Sequence, residues 1–114
     1  MKLTREEAIR KHRELWNWIA DETERQQDSV SREEYYDEHP ESIRPLNLCF
    51  CCQYVAERSD YNASDCLVLC PIKWKSGHCE NFGTEYREWQ LAEGWLEAAK
   101  YARIIANLPE RSDA

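Results

Sequence analysis

The sequence predicts a mostly α fold in one domain, and three observations carry that expectation. Capping signatures stand directly before runs whose apolar residues recur at helical spacing. A second such stripe runs towards the C-terminus and stops at a proline. Strand-like content reduces to at most a small hairpin near residues 66–74.

The first element is a long amphipathic helix over residues 5–27. Thr4-Arg5-Glu6-Glu7 forms a capping box at its start. Ala8, Ile9, His12, Leu15, Trp16, Ile19 and Thr23 then share one face, with Trp18 off the stripe. Ser31-Arg32-Glu33-Glu34 repeats the box, with Val30 and Tyr35 placed as a hydrophobic staple. It opens a short helix from Arg32 to Glu38, broken by His39-Pro40. Residues 39–48 read as an irregular arm returning Ile43, Leu46 and Leu48 to the core. Gln53–Arg58 is a further short helical candidate. Thr84 caps a helix on which Tyr86, Trp89 and Gln90 share a face, and Gly94 interrupts it. Trp95, Ala98, Ala99, Ala102, Ile105 and Ala106 trace the last stripe, to Leu108 and Pro109. Small alanines there allow close approach to the N-terminal helix. Residues 110–114 are expected to fray.

Between the short helices lies CFCCQYVAERSDYNASDCLVLCPIKWKSGHC, residues 49–79, which holds all 6 cysteines. Cys49 and Cys52 make a C-x2-C pair, and Cys66 and Cys70 a C-x3-C pair. Cys79 follows beside His78. This spacing resembles that of small structural zinc sites, in which two distant thiolate pairs close a long loop on one ion. The expected ligands are Cys49, Cys52, Cys66 and Cys70. Cys79 is the main competitor for the place of Cys66, and His78 is a third choice. Cys51, between two ligands, should point away from the metal as a small buried hydrophobe or a spare thiol. Four thiolates leave no open coordination position, so such a Zn2+ would be structural. The fold class is then a long N-terminal helix, a short second helix, a zinc-bound loop region and a C-terminal helical pair.

Composition agrees with a need for such a cross-link. In 114 residues, 32% are charged, so one thin core must hold a single domain over residues 1–114. With 22 acidic and 15 basic residues the formal charge is −7, and no basic patch offsets it, which disfavours nucleic-acid binding. The start, MKLTREEAIRKH, has no apolar signal-like run, and no stretch is long enough to span a membrane. A reducing, cytoplasmic setting without membrane attachment is expected, where cysteines hold metal rather than disulfides.

Catalysis has little to stand on. The 3 histidines are scattered, and no nucleophile elbow, phosphate loop or H-E-x-x-H motif occurs. His12, on the apolar face, reads as a hydrogen-bonded core residue. The chain is expected not to be an enzyme. Surplus aromatics, namely Trp18, Tyr36, Tyr61 and Trp74, are candidate partner-binding residues, since Tyr and Trp anchor interfaces. Covering the metal loop is their plainer use. An alternative reading is a zinc-knuckle nucleic-acid-binding regulator, with Trp74 stacking on a base between Lys73 and Lys75.

A W-x-W-I-A helix, an S-x-x-E-Y-Y helix, the C-x2-C knuckle, C-P-I-K-W, a further Cys, a Y-x-x-W helix and N-L-P-E-R follow one another in this chain. In that order they resemble a family of small cysteine-rich proteins encoded by bacterial phages and prophages. That family usually has C-x2-C-P where this chain has Cys66-x3-Cys70-Pro71, one residue more. The resemblance implies a metal-binding fold in a phage setting, in the cytoplasm of a host. Joined to the acidic surface and surplus aromatics, it leads to a host protein as the partner, bound and modulated or inhibited. In one version the acidic helices imitate nucleic-acid charge.

Overall fold

The computed structural model describes residues 3–45, 48–58, 69–74 and 83–111. Their helices are α1 (Arg5–Gln26), α2 (Arg32–Glu38), α3 (Phe50–Ala56), α4 (Glu85–Gln90) and α5 (Trp95–Ala106). The mostly α expectation holds, with the long first helix, the short second one and the helical pair at the C-terminal end.

The capping residues act as their chemistry requires. Thr4 and Ser31 each accept an N–H three residues on, while Glu7 and Glu34 reach back to the cap. Thr84 accepts from the Arg87 N–H. α1 ends at Gln27, whose φ of 54° is left-handed. Every residue of the expected α1 stripe is buried, and Thr23 hides its hydroxyl by donating to the Ile19 carbonyl at 2.6 Å.

α1 and α5 share the largest helix–helix contact. Ala98, Ala99, Ala102 and Ala106 are all buried there beside Ile105, so the small side chains let the backbones close. Arg13 donates to the Ala106 carbonyl at 3.3 Å across this interface. α3 packs on α1 through Phe50, Cys51 and Val55, each at most 1% exposed.

Three expectations change. The knuckle does not precede a helix over residues 53–58; it is the first turn of α3, with Cys49 at the cap. Ile43 is 51% exposed and does not return to the core, whereas Leu48 packs against it; Leu46 lies outside the described residues. The chain end is held as far as Arg111. Ile72 and Glu110 form an antiparallel bridge, with Lys73 N donating to Pro109 O at 2.9 Å and Arg111 N to Pro71 O at 2.8 Å. Arg5 adds an ion pair to Glu110 at 2.9 Å and a bond to the Arg111 carbonyl. Residues 110 and 111 therefore do not fray. The expected hairpin near residues 66–74 lies partly outside the described residues, and residues 71–73 pair with the chain end instead.

Candidate functional site

Cys49 caps α3 with an extended backbone, and its Sγ accepts the Cys52 N–H at 3.2 Å. One turn of helix thus sets two sulfurs on one side. The approach is strained: Leu48, just before the knuckle, has φ 54°, a left-handed conformation that costs a non-glycine residue on the order of 1–3 kcal/mol. Tyr36 holds it there, its hydroxyl donating to the Leu48 carbonyl at 3.3 Å. Burial of the ring pushes the phenol pKa up, so the hydroxyl keeps its proton as donor.

Cys70 is positioned by the pairing of residues 71–73 with the chain end. The thiol that acts on it most strongly is Cys51. The Cys51 S–H donates to Cys70, which lowers the Cys70 pKa and raises that of Cys51, with burial raising Cys51 further. The Ile72 N–H also favours a thiolate at Cys70, whereas the buried Trp74 indole N–H meets no acceptor among the described residues. None of Cys49, Cys51, Cys52 and Cys70 is joined to another by a disulfide. Among the described residues no three Cys, His, Asp or Glu side chains gather in metal-binding geometry. Cys66, Cys79 and His78 lie outside those residues, as does Tyr61. The structure thus brings Cys49 and Cys52 together and sets Cys70 against Cys51. Of the two readings of Cys51, the structure shows the buried one. Its contact with a candidate ligand was not foreseen, although a C-F-C-C run on a helix start must turn one sulfur towards the core.

Two expected partner-binding residues are interior. Tyr36 and Trp74 are both 5% exposed, so burial removes them from the outer surface. Trp74 likewise presents no ring on which a base could stack. Trp18 is half-buried, its ring edge-on to Tyr35 at 5.4 Å and His39 at 5.6 Å. It borders a cavity of about 230 Å³ ringed by Glu34, Asp37 and Glu38.

The exposed apolar surface lies elsewhere. Leu96 is 72% exposed, Leu91 67% and Ile104 38%. With Trp95, Leu96 and Ile104 line a groove of about 500 Å³ along the outer side of α5, rimmed by Lys100 and Arg103. Arg103 is fixed to Asn17 at 2.9 Å, Asp21 at 2.6 Å and Glu24 at 2.9 Å. Leu96, Lys100 and Ile104 repeat every four residues opposite the alanine stripe, a signal present in the sequence.

His12 is a core residue, 2% exposed, with Nε2–H donating to the Ile105 carbonyl at 3.1 Å. Burial pushes its pKa from 6.5 down to about 4, with Arg13 adding to the shift; the Ile105 carbonyl and Cys52 oppose it. A base whose folded pKa is depressed takes its proton first in the unfolded chain. Its stability contribution is complete above pH 6.5 and is lost as pH falls towards 4. Between pH 7 and pH 5 the wild type should lose about 2 kcal/mol more than His12→Gln, by that linkage relation. Urea melts at both pH values check this; equal losses would show that His12 does not titrate as a buried neutral ring.

Comparison with protein families, curated proteins and solved structures finds no match. No helix among the described residues is long and apolar enough to cross a membrane.

Proposed function

We propose that this chain is a zinc-stabilised, non-enzymatic interaction protein that holds another protein on the outer side of α5. In the phage setting implied by the motif resemblance, that partner is a bacterial host protein whose activity it modulates or inhibits. The observation that carries the reading is the row of Leu96 and Ile104 with Trp95 beside it, apolar surface left open on a chain that is 32% charged. Metal would organise the framework behind that face, held by Cys49, Cys52 and Cys70 with one of Cys66, Cys79 or His78. The Cys49–Cys52 turn supports this donor set; Cys70 does not gather with that pair in metal-binding geometry and would have to close on it when the ion binds. His12 and His39 support a non-catalytic reading, since each is engaged with a backbone carbonyl.

Affinity capture from a bacterial lysate tests the proposal. The wild type should retain one stoichiometric protein, and Leu96→Glu with Ile104→Glu should lose it while melting at an unchanged temperature. Both side chains are exposed, so the change should cost the fold under about 0.5 kcal/mol. Capture of no stoichiometric protein, or equal capture by the variant, overturns the assignment of this face.

A further inference from the structure

Among the described residues, the groove on the outer side of α5 is lined by three charged side chains, Glu24, Lys100 and Arg103. Arg103 is answered inside the chain by Asp21 at 2.6 Å and Glu24 at 2.9 Å. Lys100 makes no ion pair among the described residues. Its ammonium lies 5.3 Å from the Tyr101 ring centroid, a contact that leaves the charge uncancelled. Lys100 also stands midway between Leu96 and Ile104, one helical turn from each. An apolar row about 12 Å long is thus interrupted at its centre by one open cation.

We propose that the occupant of this groove is an amphipathic helix of the partner protein that carries a carboxylate between two apolar side chains, the carboxylate closing on Lys100. The inference rests on the reading of the α5 face given above. Leu96 and Ile104 supply the apolar area, but a purely apolar helix laid on them would desolvate Lys100 with nothing in return. An Asp or Glu in the same stripe removes that cost. It also fixes the register, because a slip of one turn sets the carboxylate against Leu96 or Ile104. A helix suits the groove better than an extended segment does. The backbone groups of α5 are bonded within the helix, so an extended chain would leave its own N–H and C=O groups unpaired against side-chain carbon. A second copy of this chain is a poor occupant. A two-fold pairing that sets Leu96 on the Ile104 of another copy also sets Lys100 on Lys100, and it joins two chains of net charge −7. The demand for a carboxylate is local to Lys100, since the charge of the whole chain repels an acidic partner elsewhere.

The test pans a display library of helical peptides on the immobilised full chain. The library fixes leucine at two stripe positions two turns apart and randomises the position between them, with counter-selection on the double variant Leu96→Glu with Ile104→Glu. Asp or Glu should dominate the randomised position. A selected peptide should bind Lys100→Glu about tenfold more weakly than the wild type, and its counterpart with lysine at that position should show the reverse preference. Lys100 is exposed, so Lys100→Glu should melt with the wild type, which separates lost binding from lost fold. Binders without a carboxylate preference, or equal binding by Lys100→Glu, overturn this inference and leave the α5 face standing. No binders beyond those that the double variant also retains would overturn both. A wild-type dimer in sedimentation that the double variant dissolves makes a second copy the occupant and overturns the inference as well.

Discussion

A strong chelator is expected to abolish the cooperative thermal transition of this protein, and restored zinc to return it. The expectation comes from two opposed magnitudes. A domain of this size has a stability of roughly 5–15 kcal/mol, and structural zinc contributes roughly 10–16 kcal/mol in small domains. Mean hydropathy is −0.84, so little apolar area is in reserve. The cysteine-bearing segments are wired into the core at two places. Cys51 and Phe50 bury α3 against α1, and Trp74 carries the segment after Cys70 into the ring cluster of Trp16, Tyr86 and Trp89. Trp16 and Trp89 stand 4.8 Å apart and edge-on, a geometry that gives a strong near-ultraviolet dichroism signal. Chelation should therefore flatten that signal and leave no cooperative melt, while part of the α1 helicity survives. An unchanged melt, together with no zinc by elemental analysis, would remove the metal from the account.

The legible parts of the fold were those set by short-range chemistry. Thr4, Ser31 and Thr84 cap their helices because a hydroxyl three residues before an N–H has one good partner. The α1 stripe from Ala8 to Thr23 is buried throughout because a 3.6-residue period leaves no other face for it. What escaped depends on pairs far apart in the chain. Arg5 holds Glu110 and Arg111 across more than 100 residues, and nothing local in Glu110-Arg111 marks it as anchored. Aromatic residue type does not decide inside from outside either. Tyr36 became the brace for a strained Leu48, and Trp74 a core ring; the open apolar surface fell to Leu96 and Ile104 instead. Of the candidate metal site, the Cys49–Cys52 turn was legible from spacing. The meeting of Cys70 with Cys51 was not, because it needs the pairing of residues 71–73 with the chain end.

Ile105→Ala should be the most costly single truncation on α5, losing about 2–5 kcal/mol in urea denaturation. Ile105 is fully buried, and its neighbours on the same face are Ala98, Ala102 and Ala106. Alanines cannot swing into a void, and the helix backbones they bring together are already close, so the cavity would stay open. The loss is not a matter of hydrogen bonding, since the carbonyl that accepts from His12 belongs to the backbone and survives the change. Ile104, the next residue, is 38% exposed and turned to the groove, and its truncation should cost less than about 1 kcal/mol. At roughly 4–8 °C per kcal/mol near this chain length, the two variants should melt at least ~4 °C apart. The comparison isolates facing, because adjacent residues of the same type share helix propensity and differ only in what they bury. Equal losses at the two positions would mean that α5 does not lie on α1 through its alanine stripe, and the outer groove would lose its definition with it.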